Sequence, residues 1–423
     1  MRLLVVTYYW PPAGGPGVQR WLKTAKALKA QGHDVEVLTV DPTQATYPLL
    51  DPSLIEETIG LTVHQTSARD WFGAYQKLTR RKEVPFSGFA NQAGRPGPLQ
   101  RLSRFIRGNF FLPDPRRGWN GYALTLARRL HKKHPFDVVI TTGPPHSTHL
   151  IGRSLKRALG LNWWADFRDP WTDIYYYAQF YPTPWARSID AAYERSVLSE
   201  ADRILTVAPD LVRLFTEKVP EVAQKSHVMP NGYDPDDFIQ EVEPKNDVFT
   251  LAYTGTLTLD YPVQKVENVL RSLLTKGHSL CLQLVGRPAW EFQDRMKALQ
   301  EAFPAFKVEF YGYRPHAESV TYMQAADALL LLIPDLPNNK GILTGKLFEY
   351  IGSGRPIWGF GPIDGDAQAI LASVQAGQLF EEEAHAEKVL ATWMTACPKG
   401  ASASARHAYT RQGLAEAMMD GSK

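Results

Sequence analysis

Short apolar runs alternate with amphipathic stretches along most of the chain. Residues 3–7 read as a buried strand, and Val18, Leu22, Ala25 and Leu28 follow at helical spacing. Gly32 ends that helix and residues 35–40 form the next strand. This is one strand–helix–strand unit, which predicts a parallel sheet. Further strands are expected at residues 138–140, 163–165, 204–207 and 228–230. The turn signals Asn231-Gly232 and Pro235-Asp236-Asp237 come next, then a polar, acidic stretch up to Asp247. A second alternating series occupies residues 251–253, 280–285, 308–311, 328–333 and 357–360. The pattern predicts an α/β protein of two doubly wound, Rossmann-like parallel-sheet domains. The first covers residues 1–230 and the second 231–400, with a C-terminal helical stretch over 401–423. In such folds ligands bind outside the carboxyl ends of the strands and between domains.

Residues 41–135 do not fit the alternation and read as a basic insertion in the first domain. Between Gln76 and Lys133 stand fourteen Lys and Arg but only two acids, although the whole chain carries a net charge of just +3. Arg101, Arg104 and Arg107 alternate there with Leu102, Phe105, Ile106, Phe110, Phe111 and Leu112. A basic amphipathic stretch of this kind can lie on an anionic membrane surface. The plainer reading is a solvated basic face whose aromatics cover the core. RNA binding lacks a recognisable motif, so no nucleic-acid partner is expected.

The composition is that of an ordinary globular protein, and 423 residues suffice for two or three domains. Two cysteines, Cys281 and Cys397, exclude a disulfide framework and a Cys-rich zinc site. No apolar run approaches the roughly 18 residues of a membrane-spanning helix, and no secretory leader is expected. The expected location is the cytoplasm, with peripheral attachment to the inner face of the membrane.

Four constellations carry chemistry. Gly14 and Gly15 lie between the first strand and the first helix, where backbone amides and the helix N-terminus favour an anion; a tight turn explains the same residues. Thr141-Thr142-Gly143-Pro144-Pro145-His146-Ser147-Thr148-His149 follows a strand directly. His146 is expected to contact a polar ligand, and His149 to be a capping or core histidine. The two share a helical spacing, but no acid stands ready as a third metal ligand and HExxH is absent. Trp164-Ala165-Asp166-Phe167-Arg168-Asp169-Pro170-Trp171 sets two carboxylates beside aromatics, which suits sugar binding. An internal salt bridge, with Arg168 clamping one aspartate, is the alternative. In the second half, Thr344 or Gly345 starts a helix that carries Lys346 and, one turn deeper on the same face, Glu349. Its N-terminus can face a diphosphate, and Glu349 can grip two hydroxyls of a ribose.

In this order the elements resemble the family 4 glycosyltransferases, which have the GT-B fold. The marks are residues 8–17, residues 228–234, Tyr253-Thr254-Gly255-Thr256-Leu257, residues 308–313, and Lys346-Leu347-Phe348-Glu349-Tyr350 followed by Gly354-Arg355-Pro356-Ile357. The resemblance implies two domains facing across a cleft, and transfer of a sugar from a nucleotide diphosphate-sugar, normally with retention. The donor falls mainly on the second domain and a lipid-linked or glycan acceptor on the first. No metal or other cofactor is required, so Asp364-Gly365-Asp366 and Asp234-Pro235-Asp236 read as turns. Glu349 matches the second glutamate of the family's E-x7-E motif, whereas Gly341 stands where the first would be. Thr256 stands where many relatives carry an arginine, so Lys346, Arg287 or Lys265 would supply that charge. His146 matches the histidine that contacts the transferred sugar.

The catalytic set expected from this is His146, Lys346 and Glu349, with Asp169 as the candidate base if a side chain takes the acceptor proton. Donor contacts are expected from Gly14, Gly15, Gly255, Thr256, Arg287, Tyr313, Leu343, Thr344, Gly345 and Leu347. Arg101, Arg104, Arg107 and Trp171 are expected on the acceptor or membrane side. The function expected is a hexosyltransferase in lipid-linked surface polysaccharide or glycan biosynthesis. Two alternatives stand beside it: a catalytically inactive nucleotide-binding or partner protein, motivated by Gly341, and a transferase acting on a soluble small molecule.

Overall fold

The apolar runs build two all-parallel sheets in the computed structural model, which describes residues 1–69, 97–239, 242, 244, 247–396 and 398–420. The chain divides into two units, Met1–Pro230 with Ala415–Lys423, and Asn231–Leu414.

In the first unit the strands are β1 (Arg2–Val6), β2 (Asp34–Val40), β3 (Thr62–Thr66), β4 (Val138–Gly143), β5 (Trp163–Phe167), β6 (Arg203–Thr206) and β7 (Ser226–Val228). They pair in the order β3-β2-β1-β4-β5-β6-β7. The helices are α1 (Pro16–Ala30), α2 (Pro98–Phe110), α3 (Asn120–Lys133), α4 (Ser147–Leu159), α5 (Pro184–Glu200), α6 (Pro209–Lys218) and the single turn α7 (Val222–Lys225). Val5 of β1 lies in register between Val37 of β2 and Ile140 of β4. Leu3, Leu4, Val5 and Val6 are all fully buried, as expected of a parallel strand covered on both faces.

The second unit has β8 (Thr250–Leu257), β9 (Leu280–Pro288), β10 (Phe306–Gly312), β11 (Ala328–Leu332), β12 (Ile357–Phe360) and β13 (Gly377–Phe380), in the order β10-β9-β8-β11-β12-β13. Its helices are α8 (Val263–Thr275), α9 (Trp290–Ala302), α10 (His316–Ala325), α11 (Gly345–Ser353), α12 (Asp366–Val374), α13 (Glu383–Thr395) and α14 (Ala403–His407). A last helix, α15 (Arg411–Asp420), follows. The C-terminal helical stretch is therefore two helices rather than one. In the first unit, Arg203 Nη1 donates to the carbonyl of Met418 at 2.8 Å.

The strand order reverses once in each sheet, between β1 and β4 and between β8 and β11. The loops after those four strands are where a doubly wound sheet opens a crevice. They are residues 7–15 and 144–146 in the first unit, and 258–262 and 333–344 in the second.

Three sequence expectations change. The edge strands β3 and β13 are absent from the pattern, because an edge strand needs no long apolar run; Thr62-Val63-His64-Gln65-Thr66 is mostly polar. Residues 41–135 are not wholly an insertion. β3 extends the sheet beside β2, and α3 contributes Ala123 and Ala127 to a core with Leu4 and Val6. Lys77, Arg80, Arg81, Lys82 and Arg95 of the basic stretch lie outside the described residues. Finally, α2 is turned opposite to the plainer reading, in which its aromatics cover the core. Arg104 is 8% exposed, while Leu102 is 54% and Phe110 74% exposed. Arg107 lies over the Phe180 ring at 4.6 Å. Only Arg101 of the three arginines faces outward. The reversal is pinned by Asn109, whose side chain donates to Tyr181 O at 3.1 Å and accepts from the Thr183 N–H at 2.8 Å.

Candidate functional site

Gly14 and Gly15 follow β1, but the Gly14 N–H is committed to the Leu49 carbonyl at 3.0 Å. It is not available to an anion, contrary to expectation. The Gly15 carbonyl opens α1 by accepting from the N–H groups of Val18 and Gln19 at 3.1 and 3.2 Å. Arg168 packs its guanidinium against this first turn at Gly17, where an added Cβ would push that group aside.

The two aspartates of β5 and its following turn have different roles. Asp166 is fully buried and its carboxylate is saturated. It accepts from Arg20 Nη2 (2.8 Å), Trp21 Nε1 (2.6 Å) and Thr142 Oγ1 (2.8 Å). The expected internal salt bridge therefore exists, but Arg20 forms it; Arg168 instead donates to the carbonyls of Gly143 (3.2 Å) and Pro144 (2.7 Å). Asp169 lies past the strand end. Burial raises its pKa, and the neighbouring Arg168 charge opposes that rise.

His146 sits at the entry to α4 with its ring stacked on Trp171, centroids 4.7 Å apart and planes 8° from parallel. Its Nδ1 is buried without a hydrogen-bond partner. Burial first, then the charges of His149, Arg168 and Lys218, hold its pKa well below the ordinary value, so the imidazole is neutral. His149 is a core residue, hydrogen-bonded to Thr141 Oγ1 at 2.9 Å and stacked on Phe167. Trp171, expected on the acceptor or membrane side, is only 2% exposed. Its large ring fills the space beneath His146 and cannot serve as an outer contact.

In the second unit the chemistry gathers at β8 and α11. Gly255 has φ +101°, and a Cβ there would lie 2.7 Å from Lys346 Cε. The glycine makes room for the lysine. The Lys346 ammonium lies 4.9 Å from the Tyr253 ring centroid and 5.8 Å from that of Tyr261. Burial pushes its pKa down to about 8, against the opposing pull of Glu349. A cation desolvated against aromatic faces gains by pairing with an anion. Thr344 occupies the N-cap of α11, yet its side chain caps nothing and its Oγ1 is buried without a partner. Leu343 and Gly345 flank it, each partly exposed. Leu347 is fully buried in the core and cannot touch a donor through its side chain, because it faces the sheet side of the helix.

Glu349 lies one turn into α11, partly exposed. Burial raises its pKa; the charges of His316, Arg411 and Lys346 oppose this, and Asp237 adds to it. His316 Nε2 and Asp237 Oδ2 are 3.1 Å apart. Gly341, where the resemblance calls for a glutamate, is the buried last residue of a turn of 3-10 helix, Asn339–Gly341. Thr256 is exposed, and its carbonyl accepts from Tyr253 OH at 2.8 Å. Tyr313 is 74% exposed with Arg287 over its ring at 5.7 Å, so these two donor candidates stand together. Lys265 is committed elsewhere, donating to Glu381 O at 2.9 Å. Asp234 accepts from the Asp236 N–H at 3.1 Å in a local turn. Among the described residues no group of three metal-ligating side chains stands together.

The structure thus assembles two sets, one per unit: His146, Arg168 and Asp169 in the first, Gly255, Thr344, Lys346 and Glu349 in the second. Sequence reasoning missed Tyr261, Asp237, His316 and Arg411. Each is remote in sequence from Lys346 and Glu349, and no spacing rule ties them together.

No curated protein sequence matches the chain. Among solved structures, a glycosyltransferase from Rickettsia africae ESF-5 superposes with a TM-score of 0.61 at 14% identity, covering 99% of this chain and 97% of that one. HepE from Anabaena, solved with UDP and glucose, gives 0.57 at 13% identity, covering 100% and 99%. The lipopolysaccharide outer core galactosyltransferase WaaB in its apo form gives 0.57 at 12%, covering all of both chains. At these identities the likeness is one of fold, and that fold is GT-B. Residues 14–232, more than half of the chain, match the glycosyl transferase 4-like domain. The chain therefore belongs to the glycosyl transferase 4-like family and is a glycosyltransferase.

Proposed function

We propose that this enzyme moves a sugar from a nucleoside diphosphate-sugar, with retention at the anomeric carbon, to a lipid-linked or glycan acceptor on the cytoplasmic face of a membrane. The observation that carries the donor class is the second-unit set. A desolvated ammonium, Lys346, stands beside the α11 N-terminus with its orphaned Thr344 hydroxyl, and Glu349 lies one turn deeper. A diphosphate needs the first two; the hydroxyls of a ribose need the third.

Negative charge grows on the departing phosphate during transfer. Lys346 and the backbone amides opening α11 stabilise it without reorganisation. In a retaining front-face route the departing phosphate itself takes the acceptor proton. Asp169 is the side chain available to share that role. The neutral His146 contacts the transferred sugar through Nε2, since Nδ1 is buried.

Membrane attachment rests on the outward side of α2, where Leu102, Phe105 and Phe110 are exposed. An apolar stripe flanked by a cation such as Arg101 suits the headgroup boundary. Among the described residues no helix is long and apolar enough to cross a membrane.

The test is a thermal-shift panel of UDP, GDP, ADP, CDP and dTDP on the wild type and Glu349→Gln. A ligand at about 100 times its Kd stabilises the native state by ~2.7 kcal/mol. One diphosphate shifting the wild type strongly and the variant weakly supports the reading. No shift from any of them defeats it and favours an inactive partner protein.

A further inference from the structure

The Trp171 ring is fastened from behind. Its indole N–H donates to Asp190 Oδ1 at 2.8 Å, and Tyr177 OH donates to Asp190 Oδ2 at 3.0 Å. Asp190 is buried in the face of α5. One helical turn on, the equally buried Glu194 accepts from Thr172 Oγ1 at 2.6 Å and from Lys218 Nζ at 2.8 Å. Lys218 also donates to Thr172 Oγ1 at 2.9 Å. Two buried carboxylates, four residues apart on one helix, thus hold consecutive residues of the turn after β5.

Burying two acids is costly unless each is satisfied. Here the outcome is a flat, immobilised indole carrying the His146 ring at 4.7 Å and 8°. On its other sides His146 meets His149 at 6.1 Å and Phe167 at 6.3 Å. The imidazole has no hydrogen bond at Nδ1 to orient it. Its plane is set by stacking.

We propose that Trp171, held by Asp190, is a positioning residue for sugar transfer: it fixes the plane of the His146 imidazole so that Nε2 points to the transferred sugar. This rests on the reading of His146 as a sugar contact. Trp171 touches no substrate itself. Its contribution is to keep a ring without an anchoring hydrogen bond in one orientation, and misplacement of a contact by about 1 Å can cost up to a hundredfold in rate.

The experiment compares the wild type with His146→Ala, Trp171→Leu, Trp171→Phe and Asp190→Asn. Two readouts are used. The first is kcat and KM for hydrolysis of the glucose adduct of whichever nucleoside diphosphate the thermal-shift panel selects. The second is the His146 Cε1–H resonance, assigned by its loss in the His146→Ala protein. Stacking on the indole should place that resonance upfield. Trp171→Leu should move it downfield and lower kcat about ten- to a hundredfold with KM changed less than about threefold. Trp171→Phe, which keeps a ring but lacks the N–H, and Asp190→Asn should fall between. Loss of the ring current with unchanged kcat overturns the inference, and so does an unmoved resonance in Trp171→Leu. If Trp171→Leu does not fold, Trp171→Phe and Asp190→Asn decide: wild-type kcat in both overturns the inference. If His146→Ala keeps full activity, the reading of His146 fails instead, and the resonance shift still reports whether Trp171 positions the ring.

Discussion

At the scale of single residues, Lys346 is the most informative group. Its ammonium is desolvated between Tyr253 and Tyr261, and its pKa falls to about 8. An anion bound there favours the charged form. The affinity for the selected nucleoside diphosphate should therefore hold below about pH 8 and weaken by up to about tenfold per pH unit above it. Binding near pH 8 should take up a proton, seen as calorimetric heats that differ between buffers. Lys346→Arg, which stays charged, should bind without this pH dependence; a wild-type affinity flat to pH 10 would refute the assignment. The sign for stability is opposite. Between about 8 and the ordinary lysine value of 10.5 the unfolded chain binds more protons, so this group's contribution to stability rises with pH across that window.

At the scale of elements, Asp166 and α2 decide most. Asp166 joins α1, β4 and β5 through Arg20, Trp21 and Thr142, and Arg20 also donates to the carbonyls of Met229 (2.7 Å) and Pro230 (3.0 Å). Asp166→Ala leaves Arg20 buried without its carboxylate. We expect a loss of about 3–5 kcal/mol in denaturant unfolding; a loss under 1 kcal/mol would show that the site relaxes. For α2 the plainer reading is reversed: Leu102, Phe105 and Phe110 face outward and Arg104 inward. Replacing Leu102, Phe105 and Phe110 with Ser should abolish co-sedimentation with phosphatidylglycerol–phosphatidylethanolamine vesicles and leave Tm unchanged. Arg104→Ala should lower Tm, because that guanidinium is packed inside. Vesicle binding that survives the triple change removes α2 from the membrane reading.

At the scale of the whole molecule, both sheets place their candidate site residues by the same rule. The strand order reverses at β1/β4 and at β8/β11; His146 and the loop leading to Lys346 follow two of those strands, and Gly255 lies near the C-terminal end of a third, β8. A bound nucleoside diphosphate should slow hydrogen exchange in residues 253–259 and 341–349 and leave the edge strands β3 and β13 unaffected. Protection confined to other parts of the chain would relocate the donor site. The Trp171 platform belongs to this scale too, since it is built from α5, the turn after β5, and α4.

The sequence by itself determined the number and kind of elements. Parallel strands buried on both faces must be almost continuously apolar, so Leu3-Leu4-Val5-Val6 and Ala328-Leu329-Leu330-Leu331-Leu332 announce themselves. It also marked His146, Lys346 and Glu349, because each sits at a strand-to-helix junction or one turn beyond it. What it did not determine were contacts between remote segments. Edge strands need little apolar surface, so β3 and β13 left no signal. The arginines of α2 carry a periodicity that fits either face, and tertiary contacts such as those of Asn109 with Tyr181 and Thr183 set which face is inward. The Asp166 partner is Arg20 rather than its neighbour Arg168, and the indole under His146 is held from α5. Those choices depend on distances through space, which tertiary packing sets and local spacing does not encode.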